Sequence, residues 1–298
     1  MSDRDGRFVW YELLTTDMAG ASLFYGRVTG WEARDASDAF RYTVLSAGTT
    51  EIGGLMELPP EARRMGATPR WVGYVAVDDI DATVNKLRSL GGSVFVPPTD
   101  TNIGRVSIVA DPQTATFGLV GGLKRAAAGA PSDEPLKAGE VGWHELLAVD
   151  GKKAFSFYSQ LLGWQPGARE EGLLDSYQLL AAGGRTFGGM FPKLPRTPVP
   201  FWLYYIEVLD IALAVAQVKD GGGRVVQGPM KTLGGLWIAR CIDPQGAMFS
   251  LQGKTSRTDI EPANEFGWAA QWGEFASRGK VVAKPDGAAR ATPKREVK

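Results

Sequence analysis

Glu12 and Glu145 each stand two residues after a tryptophan, in WYELLTTD (10–17) and WHELLAVD (143–150). Side chains two apart on a strand share a face, so Trp10 with Glu12, and Trp143 with Glu145, present a ring and a carboxylate to one surface. Tyr74 and Tyr205 project from the same faces by strand parity. A carboxylate against apolar surface is costly unless it is hydrogen-bonded or paired. Two readings follow. Glu12 and Glu145 are candidate catalytic groups that take a proton or hold a polar ligand. Otherwise each bridges to an arginine of a late strand, Arg105 or Arg240, and closes the surface. Trp10, Tyr74, Trp143 and Tyr205 are candidate ligand-binding residues, offering stacking area with a polar handle; core packing uses the same side chains. His144 is the only histidine. Its ordinary pKa suits a base or a metal ligand, but alternation turns it away from Glu145, as it turns its counterpart Tyr11 from Glu12.

The elements that must carry these residues are written twice. Over 10–31 and 143–164, at an offset of 133, ten of twenty-two positions are identical. The repeat continues through IGGLM (52–56) and FGGMF (187–191), PRWVGYVAVDD (69–79) and PFWLYYIEVLD (200–210), and DPQTATFGL (111–119) and DPQGAMFSL (243–251). Such a duplication constrains the fold before anything else does. Within each half a fainter period recurs. Residues 8–16 alternate as a strand; Asp17 caps a helix whose Ala21, Phe24, Tyr25 and Val28 form one stripe closed by Gly30; strands follow near 41–46 and 50–57. The pattern restarts with a strand at 71–77, a cap at Asp79, the stop at 91–92, and strands near 93–96, 105–110 and 115–120. The chain therefore holds four βαβββ units, an α+β architecture. Trp71 and Trp202 have the opposite parity and are expected beneath a helix. Gly53–Gly54 and Gly188–Gly189 resemble no phosphate loop and are expected at a bulge or bend. Two domains are expected, at 7–121 and 139–253, joined by a Gly/Ala/Pro-rich linker at 122–138 and followed by a mobile basic tail at 258–298.

Bulk composition removes several classes of function. Thirty-three basic residues balance thirty-three acidic ones, so nothing calls for nucleic acid or an anionic membrane. No stretch approaches the apolar length of a membrane helix. The single cysteine, Cys241, excludes an intrachain disulfide framework. With a charged start and no signal-peptide core, the chain reads as cytoplasmic, a monomer or homodimer. No GxSxG elbow supports serine-hydrolase chemistry.

Strand, ASLFYGRVTGW or AFSFYSQLLGW helix, and a DPQ turn before the last strand together resemble the vicinal-oxygen-chelate superfamily, which includes glyoxalase I, extradiol dioxygenases and bleomycin-binding proteins. The resemblance covers 7–121 and 139–253 and implies paired βαβββ units forming curved, mostly antiparallel sheets around cups. It leaves open whether a cup forms within one half or between both. Where the superfamily chelates a metal, its ligands fall here on Trp10, Val72 and Gly118, and on Trp143, Leu203 and Ser250. None is His, Asp or Glu, so no metal cofactor is expected. The resemblance then implies a protein that binds a small, partly aromatic or apolar molecule in a cup. The alternative is a lyase, isomerase or dioxygenase using Glu12 and Glu145, or a divalent metal in an atypical site.

Overall fold

A computed structural model describes residues 6–36, 41–124, 136–168, 176–193 and 199–255. The basic tail lies outside the described residues, as does most of the linker.

The first half runs β1 (Phe8–Thr15), α1 (Met18–Thr29), β2 (Glu32–Asp35), β3 (Tyr42–Ala47), β4 (Thr50–Glu57), α2 (Pro60–Arg64), β5 (Arg70–Ala76), α3 (Ile80–Ser89), β6 (Ser93–Asp100), β7 (Arg105–Ala110) and β8 (Thr116–Gly121). The second runs β9 (Val141–Ala148), α4 (Gly151–Leu162), β10 (Gln165–Pro166), β11 (Gln178–Ala182), β12 (Arg185–Pro192), β13 (Phe201–Val208), α5 (Ile211–Asp220), β14 (Arg224–Lys231), β15 (Trp237–Ile242) and β16 (Met248–Gly253). Asp17, Asp79, Asp150 and Asp210 cap the four longer helices, each accepting from a backbone N–H of the first turn. Left-handed Gly30 and Gly163 close α1 and α4.

Each half makes its own eight-stranded sheet, ordered β2-β3-β4-β1-β5-β8-β7-β6 and β10-β11-β12-β9-β13-β16-β15-β14. The four βαβββ units are therefore paired within halves, and each cup is built from one half. In both sheets the only parallel pairs join the first strand of a unit to the last strand of that same unit. The sheets are curved but not closed, since β2 with β6, and β10 with β14, remain as edges. β2 completes the expected βαβββ count, but its position was not located in the sequence: Glu32–Asp35 is exposed at every position and carries no alternation. The Gly53 and Gly188 positions lie against the backbone carbonyls of Tyr11 and His144, and a Cβ at Gly54 or Gly189 would collide with the ring of Tyr42 or Tyr177. The expected bulge is present beside Gly53 and Gly188, where the register with β3 and β11 shifts by one residue, and close approach adds a second reason for the glycines.

The two sheets pack back to back with the helices around the join, and one continuous core runs through both halves. The repeated signatures hold that join together. Trp31 Nε1 donates to Gly139 O at 2.7 Å, and its counterpart Trp164 donates to Gly6 O at 2.6 Å. Tyr25 donates to Asp243 at 3.1 Å and Tyr158 to Asp111 at 3.3 Å, so each helix tyrosine meets the DPQ turn of the other half. Trp71 and Trp202 lie beneath helices, donating to Tyr25 and Tyr158. On the local two-fold axis, counterparts meet each other: Tyr11 Oη lies 2.6 Å from His144 Nε2, and Gly73 N donates to Tyr204 Oη at 2.7 Å. The cups open on the two outer faces, each with its own smaller apolar cluster.

Candidate functional site

Strand alternation brings the singled-out residues to the cup faces. In the first half Trp10 and Tyr74 join Tyr42, Val72 and Val120 in one buried cluster, with Glu12 at its centre. Glu12 accepts from the Tyr42 hydroxyl at 2.8 Å and the Tyr74 hydroxyl at 2.5 Å, and Trp10 Nε1 donates to Tyr42 Oη at 2.9 Å. Among the described residues no cation pairs with Glu12. Burial raises its pKa above the ordinary glutamate value, opposed by the hydrogen bonds from Tyr74, Tyr42 and Trp10. Arg105 is not its partner: it reaches Asp81 at 3.1 Å and Asp100 at 3.4 Å on the surface. Counting back from each DP turn aligns Arg105 with Trp237 and places Ile108, not an arginine, opposite Arg240. Ile108 packs against this cluster, and Ile103, from the turn before β7, is buried within it. Among the described residues the side chains of the first cup are buried against one another.

The second cup repeats the carboxylate–phenol arrangement around a cation. Glu145 accepts from Tyr177 at 3.1 Å through Oε1 and from Tyr205 at 3.0 Å through Oε2, and Trp143 Nε1 donates to Tyr177 Oη at 3.1 Å. Arg240 Nη2 forms a buried ion pair with Glu145 Oε2. The other arginine nitrogens are engaged as well, Nε with Tyr205 Oη at 3.1 Å and Nη1 with Gln227 Oε1 at 2.9 Å. Burial, the largest single influence, opposes the charge of Arg240, but the Glu145 carboxylate together with Tyr205 and Tyr177 outweighs it and holds the guanidinium pKa above its ordinary value. Of the two partners weighed from sequence, Arg240 is the one the fold supplies.

This cup encloses a cavity of about 330 Å³ lined by Trp143, Glu145, Tyr177, Tyr205 and Arg240, with Leu136, Leu233 and Leu236 among the apolar residues of its wall. Trp143 and Tyr177 are half-buried, where Trp10 and Tyr42 are buried. Tyr42 and Tyr177 went unnoticed in the sequence, although RYTVL (41–45) and SYQLL (176–180) place them at equivalent points of the repeat. Leu136 comes from the expected linker and had no periodic signal.

The six positions that the resemblance pointed to as metal-ligand positions do not suit a divalent metal. A Cβ at Gly118 would collide with the Tyr74 ring, so a phenol fills that place in the first cup. In the second, the Ser250 hydroxyl is buried with no hydrogen-bond partner, and Trp143 and Leu203 supply no ligand atom in reach of imidazole or carboxylate chemistry. Among the described residues no three His, Cys, Asp or Glu side chains group together as a metal site.

The absence of a countercharge makes Glu12 testable. Because its folded pKa is raised, the stability tied to its protonated form is present below the unfolded pKa and is lost as pH rises through the folded one. Glu12→Gln is therefore expected to leave stability unchanged or raise it by about 1 kcal/mol at pH 7, a gain that vanishes in acid. Denaturant unfolding at neutral and acid pH measures it, and a marked loss at pH 7 would contradict the assignment.

Both halves match the family model described as Glyoxalase/Bleomycin resistance protein/Dioxygenase superfamily, at residues 7–118 and 141–251. The chain belongs to this superfamily. CFP32 of Mycobacterium tuberculosis, whose name gives it as a candidate glyoxylase, is 32% identical over 253 residues, spanning 83% of this chain and 95% of that protein. The anthracycline biosynthesis protein DnrV of Streptomyces peucetius is 29% identical over 266 residues, spanning 83% and 92%. Among solved structures, the Mn(II)-bound glyoxalase of Novosphingobium aromaticivorans superposes with a TM-score of 0.59 at 17% identity, covering 86% of this chain and 85% of that one. The dioxygenase LapB of Pseudomonas sp. KL28 gives 0.57 at 13% identity, covering 86% and 94%. At these identities the structures show the shared fold alone.

Proposed function

We propose that this superfamily member binds a small, largely apolar or aromatic molecule in its second cup, and that binding needs no divalent metal. The cavity of about 330 Å³ beside Trp143 and Tyr177 carries this reading; its size falls within the range of small-molecule sites. The aromatic lining supplies stacking area, and Leu136, Leu233 and Leu236 supply apolar wall at the mouth. Glu12, Trp10 and Tyr74 belong to packing in this reading, whereas Trp143, Glu145 and Tyr205 belong to the site. Acid–base chemistry by Glu145, as in a lyase, isomerase or dioxygenase, is less favoured because Arg240 and two phenols already occupy its carboxylate oxygens. Glu12 is only 6% exposed, beneath Trp10 and Tyr42.

The partner is thus a small molecule and not a nucleic acid or a membrane. Among the described residues no helix is long and apolar enough to cross a membrane. A cytoplasmic monomer or homodimer fits a chain with one buried cysteine, whose thiol pKa burial pushes up to about 12.

The test uses N-phenylnaphthylamine, a neutral fluorescent aromatic, titrated into the purified protein with and without a chelator. Binding is expected in both conditions. Leu236→Trp, which fills the mouth of the cavity, is expected to weaken binding at least tenfold with an unchanged melting temperature. Affinity untouched by that variant, or abolished by chelation with a stoichiometric transition metal in the protein, would overturn the reading.

A further inference from the structure

We propose that the second cup selects uncharged ligands, and that pairing with Glu145 is what keeps the buried charge of Arg240 from recruiting an anion. The inference rests on the binding reading above and deepens it. An arginine in an aromatic cup would ordinarily mark a site for a carboxylate, sulfonate or phosphate. Here its three nitrogens already face Tyr205, Gln227 and Glu145. Both oxygens of Glu145 are likewise engaged, by Tyr177 on one side and by Tyr205 and Arg240 on the other. An anion entering the cavity gains no uncommitted cation and meets a like charge on Glu145. A cation meets Arg240 in the same way. Either would have to break a buried pair whose members are each about 5% exposed at the side chain.

Three further polar groups of the wall are also turned inward to the protein. Trp143 Nε1 donates to Tyr177, Thr232 Oγ1 donates to Leu236 O, and Gln252 Nε2 donates to Glu207. What these leave for a ligand are the ring faces of Trp143 and Tyr177 and the leucine side chains, which favour a flat, neutral skeleton.

The first half shows that the sheet does not require the pair. It keeps the same carboxylate and the same two phenols with Ile108 where Arg240 stands, and its cup is packed with its own side chains. Among the described residues a cation meets the carboxylate only in the second half, beside the cavity of about 330 Å³, which ties the pair to that cup and not to the fold.

The experiment compares N-phenylnaphthylamine with anilinonaphthalene sulfonate, the same ring skeleton carrying a permanent negative charge. Wild-type protein is expected to bind the neutral probe at least tenfold more tightly. Glu145→Gln uncovers the arginine charge and is expected to move the ratio at least tenfold toward the sulfonate. The Glu145→Gln/Arg240→Met double variant, which removes both charges, should return to the neutral preference. Leu236→Trp should weaken whichever probe binds, which places the event in this cup. If Glu145→Gln fails to fold, the wild-type ratio still decides the selection, and Arg240→Met, which leaves the Glu145 carboxylate facing the cavity, should move the ratio further from the sulfonate; an unchanged ratio there overturns the role of the pair. Equal or tighter sulfonate binding by wild type overturns the selection and leaves a binding cup intact. An unchanged ratio in folded Glu145→Gln overturns the role of the pair. Binding of neither probe removes the binding reading, and this inference falls with it.

Discussion

Glu145→Gln is expected to destabilise the protein by about 3 kcal/mol, the low end of the cost of stranding one member of a buried ion pair. The side chains of Glu145 and Arg240 are both about 5% exposed, so the guanidinium left behind has little access to solvent. It keeps the Tyr205 and Gln227 hydrogen bonds but loses the Glu145 carboxylate. The adjoining cavity is what holds the cost to the low end, since water or an anion can enter beside the charge. Arg240→Met alone should cost a similar amount by leaving the carboxylate uncompensated. The double variant should cost less than either single change, because replacing both members of a pair with groups of similar volume is often close to neutral. Chemical denaturation of the four proteins closes a double-mutant cycle. A coupling energy near zero would mean the pair is not the structural unit described, and Glu145→Gln as stable as wild type would mean the arginine charge finds another partner. The contrast with Glu12→Gln sharpens the result. Of two equivalent substitutions, in positions equivalent by descent, only that in the second half should destabilise the protein, because one half has Arg240 and the other Ile108.

The sequence carried the frame of the site but not its outcome. Alternation placed Trp10 with Glu12 and Trp143 with Glu145 on one face and turned Tyr11 and His144 to the other, because a pleated strand has a period of two and nothing local disturbs it. The helices were legible for a similar reason: Asp17, Asp79, Asp150 and Asp210 are caps, and the apolar stripes follow them. What distinguishes an open cup from a filled one is not local. It depends on Ile103 and Ile108 in one half against Leu233, Leu236 and Arg240 in the other, side chains brought in from late strands and turns. Arg105 was an attractive partner for Glu12 only until the two DP turns were aligned, a comparison within the chain that was open to sequence reasoning. β2 left no trace because an exposed edge strand buries nothing and needs no pattern.

His144 should make the folded protein lose stability as pH falls from about 6.5 toward 4. Its imidazole sits on the axis between the halves, stacked on Phe8 at 4.5 Å between ring centroids. Nδ1 lies 3.1 Å from Phe187 O, a carbonyl that only accepts, so Nδ1 carries the proton. Nε2 then accepts from the Tyr11 hydroxyl, 2.6 Å away. A second proton on the ring would turn that acceptor into a donor and place a charge in the shared core. Burial accordingly lowers the pKa to about 4, with the Phe187 carbonyl acting in the opposite direction. The sign follows directly. Between pH 6.5 and 4 the unfolded chain binds a proton that the folded protein refuses, so stability rises with pH across that window and is lost on acidification. The displacement corresponds to roughly 3 kcal/mol at the acid end. The chain has no other histidine, so one imidazole resonance reports the whole effect. Nitrogen-15 NMR should show a single neutral Nδ1–H tautomer that persists well below pH 6, and denaturant midpoints should fall over the same range. In His144→Gln the part of that slope owed to the imidazole should disappear, leaving only the carboxylates. An imidazole titrating near 6.5 in the folded protein would show that the ring is not held in the core as described, and that the two halves do not meet through it.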